Sequence, residues 1–228
     1  MVEFYHVYKQ YVDDQLALTD VSFTIQKGEF VFLTGASGAG KTTLLKLIFK
    51  EEFPSRGQIL IDSVNTNLIP ANQLYQLRRN LGIVFQDFRL LQNRTIYENI
   101  ALPLIVRGEK KSAIDRMVMA ALTLVGLTHR KNYIPMHISG GEQQRVAIAR
   151  AIVGNPRILI ADEPTGNLDT ELSIDVFRMF ERIHATGITV IIATHNTHMM
   201  ELFPRRVLRL EKGALIADGT TMIGARDM

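Results

Sequence analysis

The spacing of apolar residues changes twice along this chain, and the changes mark out three stretches. The first reads mostly as strands. Val2 to Val7, Ala17 to Ile25, Glu29 to Thr34 and Gly57 to Ile61 are rich in β-branched and aromatic residues, with Gln26-Lys27-Gly28 as a turn before the third. Leu44, Leu45, Leu47 and Ile48 recur at helical spacing behind that third strand. A further helical signal covers Ala71 to Arg79, and a short strand, Leu81 to Phe85, ends at Gln86. From Thr95 to about Gly126 the period is helical, with Ile114, Met117, Val118, Ala121, Leu122 and Val125 three and four apart. A run of strong helix formers, Glu142 to Val153, follows Ser139-Gly140-Gly141 and stops at Gly154-Asn155-Pro156. Alternation then returns as strand Ile158 to Ala161, helix Glu171 to Ala185, strand Ile188 to Ala193 and terminal strands near Val207 to Leu210 and Leu215 to Ala217. This order predicts an α/β fold with a mostly parallel core sheet, helices on both faces, an antiparallel β portion and an inserted helical subdomain.

A chain of 228 residues suits one large α/β domain with an insertion. We expect a single domain over residues 1–228, with the helical subdomain at about 87–154. Lys and Arg number 26 against 23 Asp and Glu, a net charge of +3. That balance suits a phosphate ligand or an anionic membrane surface and gives no argument for nucleic acid. The absence of cysteine excludes disulfides, thiolate metal sites and cysteine nucleophiles. Met1 to His6 carries no export signal, and the longest apolar runs, Ile100 to Val106 and Ile188 to Ala193, fall far short of the roughly 20 residues that span a bilayer. The expected location is therefore cytoplasmic, with any membrane role peripheral, and the triplet Asn93-Arg94-Thr95 is an accidental glycosylation match.

Chemistry concentrates first at Gly35, Ala36, Ser37, Gly38, Ala39, Gly40, Lys41, Thr42 and Thr43, which match G-x-x-x-x-G-K-[ST] between a strand and a helix. Glycines let the backbone curl its N–H groups around phosphate oxygens, and the helix N-terminus adds partial positive charge. Lys41 can reach the terminal phosphates of a nucleotide, and the Thr42 hydroxyl can ligate Mg²⁺. Asp162 and Glu163 end a buried apolar strand, where open α/β sheets present their ligands. Asp162 suits Mg²⁺, directly or through water. Glu163 suits the attacking water as general base; adjacent acids also commonly make a solvated turn.

Ile138-Ser139-Gly140-Gly141-Glu142-Gln143-Gln144-Arg145 resembles the signature motif of ATP-binding cassette (ABC) ATPases, and the likeness extends over almost the full chain. As residues alone, Ser139 and Glu142 also make a capping box on a helix that could bind an anion. The resemblance implies ATP as substrate, Mg²⁺ as metal, and a homodimer on ATP binding in which Ser139, Gly140, Gly141 and Glu142 of one copy face the nucleotide held by the other. It further implies that Tyr11 stacks on adenine, that Gln86 contacts Mg²⁺ and senses the γ-phosphate, that Asp169 in Gly166-Asn167-Leu168-Asp169 supports the opposite site, and that His195 contacts the γ-phosphate. Ile138, Glu142 and Asn196 depart from the residues most frequent in the family, without removing a catalytic group. His195 and His198 lack the carboxylate that a zinc site would need at that spacing.

Phe85 to Leu91 and Thr95 to Pro103 resemble the cell-division branch of the family. That resemblance implies a polytopic membrane protein as partner, peripheral contact with the inner face of the cell membrane, and regulation of septal peptidoglycan hydrolysis. The exposed apolar residues of Asp87 to Leu91 are expected to receive a cytoplasmic helix of the partner; packing of Phe88 and Leu91 inside the chain's own helical region is the alternative. Lipoprotein-release and macrolide-export ATPases share the other motifs and remain an alternative, as does a scaffold that binds ATP with little turnover.

Overall fold

The computed structural model describes residues 1–11 and 16–220. In chain order its elements are β1 (Val2–Gln10), β2 (Leu16–Ile25), β3 (Phe30–Thr34), α1 (Lys41–Ile48), β4 (Arg56–Ile61), β5 (Val64–Asn65), α2 (Leu74–Arg79), β6 (Leu81–Val84), α3 (Ile96–Val106), α4 (Lys111–Leu124), α5 (Gly140–Ile152), β7 (Ile158–Asp162), α6 (Thr170–His184), β8 (Thr189–Ala193), α7 (Thr197–Leu202), β9 (Arg206–Glu211) and β10 (Ala214–Gly219). They form two compact units, Met1–Leu74 with Thr189–Met228, and Tyr75–Ile188.

In the first unit one sheet is antiparallel, ordered β2-β1-β4-β5. Phe4 on β1 lies opposite both Phe23 of β2 and Ile59 of β4, and the Phe4 and Phe23 rings stack with centroids 4.6 Å apart. The other strands centre on β3, which runs parallel to β8 on one side and β9 on the other, with β10 antiparallel beyond β9. Phe30 to Leu33 are all buried, as expected of a parallel strand covered on both faces. Buried Leu44, Leu45, Leu47 and Ile48 give α1 its apolar face. Arg206 fastens the far end of this sheet. It donates to both carboxylate oxygens of Asp218 and both of Glu29, and to the Thr24 carbonyl, and these acceptors hold its pKa above the usual value.

In the second unit β6 and β7 pair in parallel, Val84 opposite Ala161, and α3, α4 and α5 lie between them in the chain. Capping boxes start two of these helices, Thr95 with Glu98 for α3 and Ser139 with Glu142 for α5. The parallel core, the antiparallel portion and the helices between β6 and β7 match the expected α/β fold. Three local features differ. The helical signal at Ala71 to Arg79 divides into a 3-10 turn and α2, and β5 and α7 carry no strong periodic signal because each is six residues or shorter.

Candidate active site

In the first unit β3 runs from buried Leu33 into the glycine-rich loop. Gly38 and Gly40 have φ of 78° and 105°, a region that side chains other than glycine rarely enter. Gly40 is also the N-cap of α1. It offers no side-chain bond, and the first turn holds no acid, so the positive end of α1 carries no carboxylate of its own. Ala36, Ser37, Gly38 and Thr42 are exposed, whereas Ala39, Gly40 and most of Lys41 are buried. Lys41 Nζ donates to the carbonyls of Gly35 at 2.8 Å and Ala36 at 3.2 Å, arched back over the loop it follows. The Tyr11 hydroxyl lies 3.4 Å from Thr43 Oγ1, which places that ring beside the start of α1. Lys9 backs the ring at 4.9 Å from its centroid and is itself anchored by Glu52 and the Phe53 carbonyl. His195 is exposed just beyond β8, where Thr194 N–H donates to the Leu33 carbonyl at 3.0 Å. The loop and His195 therefore leave the same ends of neighbouring parallel strands, the edge at which such sheets bind ligands.

The second unit assembles the remaining candidates. Because β6 and β7 are parallel and in register, Gln86 and the Asp162-Glu163 pair emerge at one end. A Cβ built on Gly166 would lie 3.7 Å from Glu163 Cβ and 3.8 Å from Gln86 Nε2, so both residues border that glycine. Glu163 itself is left-handed, with φ of 45°. Ser139 Oγ accepts from Glu142 N–H at 3.2 Å, while Glu142 accepts from Ser139 N–H at 2.9 Å. Asp169 caps α6 by accepting from Leu172 N–H at 2.9 Å, and Leu172 in turn packs on Gly141. The signature turn and the Asp169 loop thus meet through one leucine. Glu142 also receives Arg130 Nε at 3.2 Å, an ion pair that a glutamine in its place would not make. The Ser139 N–H bond, opposed by partial burial and helped by Arg130, holds the Glu142 carboxyl below its usual pKa.

Beyond Gln86 the chain turns through two consecutive left-handed residues, Phe88 (φ 59°) and Arg89 (φ 48°). Leu90 is only 7% exposed, and Arg89 lies over the Phe85 ring, 4.0 Å from its centroid. Within Asp87 to Leu91 the expected exposure therefore holds for Leu91, at 41%, and not for Leu90. Three polar residues that the motifs did not single out organise the region: Arg130, Asn99 and Arg150. Asn99 carried a signal, a polar residue inside the apolar helical run Ile96 to Leu104. Arg150 carried none beyond its place in the last turn of a helix.

A glycine-rich phosphate loop, an acid pair ending a parallel strand and a Ser-Gly-Gly helix start define an ATP-hydrolysing cassette, and the chain belongs to the ABC transporter family, which matches residues 18–166. Within that family it is similar to the cell division ATP-binding proteins FtsE. It is 46% identical to that of Bacillus subtilis over 96% of both chains. It is 47% identical to that of Mycobacterium tuberculosis over 96% of this chain and 95% of the relative, and 47% identical to that of Escherichia coli over 94% and 97%. Among solved structures, the ABC transporter cassette MJ0796 in a dimeric form superposes with a TM-score of 0.89 at 34% identity, covering 96% of this chain and 98% of that one. The same cassette in a dimeric post-hydrolysis state bound to ADP and Pi gives 0.88. Among the described residues no helix is long and apolar enough to cross a membrane.

Proposed function

We propose that this chain is the ATPase subunit of a cell-division complex. Two copies close on ATP, and the closure changes the shape of an FtsX-like polytopic membrane protein that regulates septal peptidoglycan hydrolysis. The observation that carries this reading is the identity of 46–47% over nearly the whole chain with cell division ATP-binding proteins, against 34% with the MJ0796 cassette. In this reading residues 1–228 act as one cassette with a helical subdomain at about 87–154, attached peripherally to the cytoplasmic face of the membrane through its partner.

The division of labour follows from the side chains. Tyr11 stacks on adenine, the loop from Gly35 to Thr43 cradles the phosphates, and Lys41 neutralises charge at the β- and γ-phosphates. Glu163 takes the proton of the attacking water, Gln86 and His195 contact the γ-phosphate, and Ser139 to Glu142 with Asp169 complete the site of the opposite copy. Among the described residues no three of His, Cys, Asp and Glu cluster as a dedicated metal cage. One carboxylate, one hydroxyl and one amide oxygen, from Asp162, Thr42 and Gln86, fit Mg²⁺, which takes few protein ligands and shares phosphate oxygens and water. Bound there, Mg²⁺ would offset negative charge across the phosphates.

Composite sites make a direct test. Lys41→Ala and Ser139→Arg proteins should each be inactive alone. Mixed, they form heterodimers with one doubly damaged site and one intact site, so ATPase activity should return in part. The membrane role is tested by co-purification with the polytopic protein encoded for the complex. Failure to associate, with ATPase intact, would reject the cell-division assignment and leave the cassette chemistry standing.

A further inference from the structure

The last turn of α5 reaches the segment behind Gln86. Arg150 donates from Nη1 to the Arg89 carbonyl and from Nη2 to the Phe88 carbonyl, both at 2.6 Å. One planar guanidinium thus holds two consecutive carbonyls, a task its fixed fork suits and a lysine ammonium does not. The two residues it holds are the left-handed pair, and neither is a glycine, so their conformation opposes their own backbone preference. Local bonds amount to a tight turn, Phe88 N–H to the Phe85 carbonyl and Arg89 N–H to the Asp87 carbonyl. Downstream, fully buried Asn99 on α3 accepts from Leu91 N–H at 2.7 Å and donates to the Leu91 carbonyl at 3.0 Å. The turn is therefore pinned by two helices, and one of them is the helix whose first turn follows Ser139. At about 1.5 Å per residue, α5 is a rod of roughly 16 Å from the Ser139 cap to Arg150.

We infer that Arg150 is a positioning residue: its fork locks the Phe88–Arg89 turn to the signature helix, so that Gln86 and the Ser139 turn shift as one body. The inference rests on the proposed role of Gln86 at the γ-phosphate. Neither end of the rod works alone. A displacement of α5 on meeting nucleotide is delivered to the glutamine, and a displacement of the exposed Leu91 side is delivered back to the signature turn.

The test uses the full chain with Arg150→Met, which keeps the stem and removes the donors, and Arg150→Lys, which keeps the charge and loses the fork. Loss of the lock should lower kcat by about 10- to 100-fold in the first and about 3- to 10-fold in the second. KM and equilibrium ATP affinity should stay within about twofold, since the phosphate loop, Tyr11 and Lys41 are untouched. Backbone deuterium uptake over residues 85–92 should quicken by about tenfold or more, with β3 and α1 unchanged. Adding Arg89→Gly to Arg150→Met should restore kcat about threefold or more, because glycine enters the left-handed region without steric cost. An arginine that only supports the fold would lower the melting temperature and ATP binding together and would gain nothing from the glycine. Should Arg150→Met fail to fold, Arg150→Lys decides in the same assays. Gln86→Ala separates the layers. If it hydrolyses ATP at the parental rate, the role of Gln86 fails. If it is impaired while both Arg150 variants keep parental kcat and parental uptake over 85–92, the positioning role is overturned and the role of Gln86 stands.

Discussion

Two loops of this protein leave the C-terminal ends of parallel strands through left-handed backbone, and they achieve it by opposite means. The phosphate loop uses glycines at Gly38 and Gly40, where positive φ carries no steric penalty, and is held within its own nine residues by Lys41 and the start of α1. The loop after Gln86 uses phenylalanine and arginine, at a cost of about 1–2 kcal/mol per residue, and holds their carbonyls with Arg150 from a helix about 60 residues on, while Asn99 on α3 holds the adjoining Leu91. A loop that reaches its backbone through glycine and is bonded within its own residues does not depend on remote side chains for its conformation. A loop held in an unfavoured conformation by remote side chains changes when those helices change, which suits a segment that reports on nucleotide to a partner.

The largest effect is expected at Glu163, another left-handed non-glycine residue and the proposed general base. Glu163→Gln should keep ATP binding and lower steady-state turnover by roughly 10²- to 10⁴-fold, the range for a positioned general base. Parental turnover in that variant, measured at saturating ATP, would remove Glu163 from the mechanism. Next comes the glycine-built loop. Gly40→Ala puts a Cβ 2.6 Å from the Ala17 carbonyl oxygen and 2.8 Å from Leu18 Cδ2, at a φ of 105°. Backbone must move, and ATP affinity in equilibrium titration should fall by at least about tenfold, ~1.4 kcal/mol. Normal affinity would show that the loop does not depend on glycine there, and the contrast between the two loops would lose its first half.

The same contrast explains what could be read from the sequence. The strands around β3, β7 and β8 were legible because buried parallel strands leave apolar runs, and the phosphate loop because its glycines, Lys41 and Thr42 must occur in fixed order. Ser139 and Glu142 announced a capped helix three residues apart, although α5 starts at Gly140, since the cap admits both glycines to its first turn. The loop after Gln86 was not legible. Phe88 and Arg89 are poor candidates for left-handed backbone, Leu90 is buried while the identical residue beside it, Leu91, is exposed, and the cause of the turn lies in Arg150, 61 residues on from Arg89. α7 was missed because only its Asn196 cap and the buried Met199 and Met200 mark six residues of helix.

A smaller effect is expected where the signature turn departs from the family's frequent glutamine. The folded-state pKa of Glu142 lies below its unfolded value of roughly 4.3. Its contribution is therefore fully present above that pH and is lost as pH falls through the folded pKa. Glu142→Gln removes the ion pair with Arg130 and should lower the melting temperature near neutral pH by at most about 3 °C. Between pH 6 and pH 3 the two melting curves should converge. Parallel curves over that range would mean that the Ser139 and Arg130 contacts do not favour the ionised carboxylate.

The smallest effect tests the cost assigned to left-handed non-glycine residues where helices do not impose it. Lys212 and Gly213 form the two-residue turn between β9 and β10, closed by the Glu211 and Ala214 pair, with φ of 47° and 82°. Positive φ at both positions defines the hairpin turn that favours Asn-Gly, because asparagine tolerates this region better than lysine does. The Lys212 side chain is exposed, so replacing it disturbs no buried packing. Lys212→Asn should raise stability by about 0.5 kcal/mol, seen as a melting temperature about 1–2 °C higher, with ATPase activity unchanged. At Phe88 and Arg89 the same backbone cost is carried by Arg150, so relief there alters function, whereas relief at Lys212 alters stability alone. A Lys212→Asn protein that melts at or below the parental temperature would show that left-handed backbone costs this chain too little for Arg150 to be needed against it.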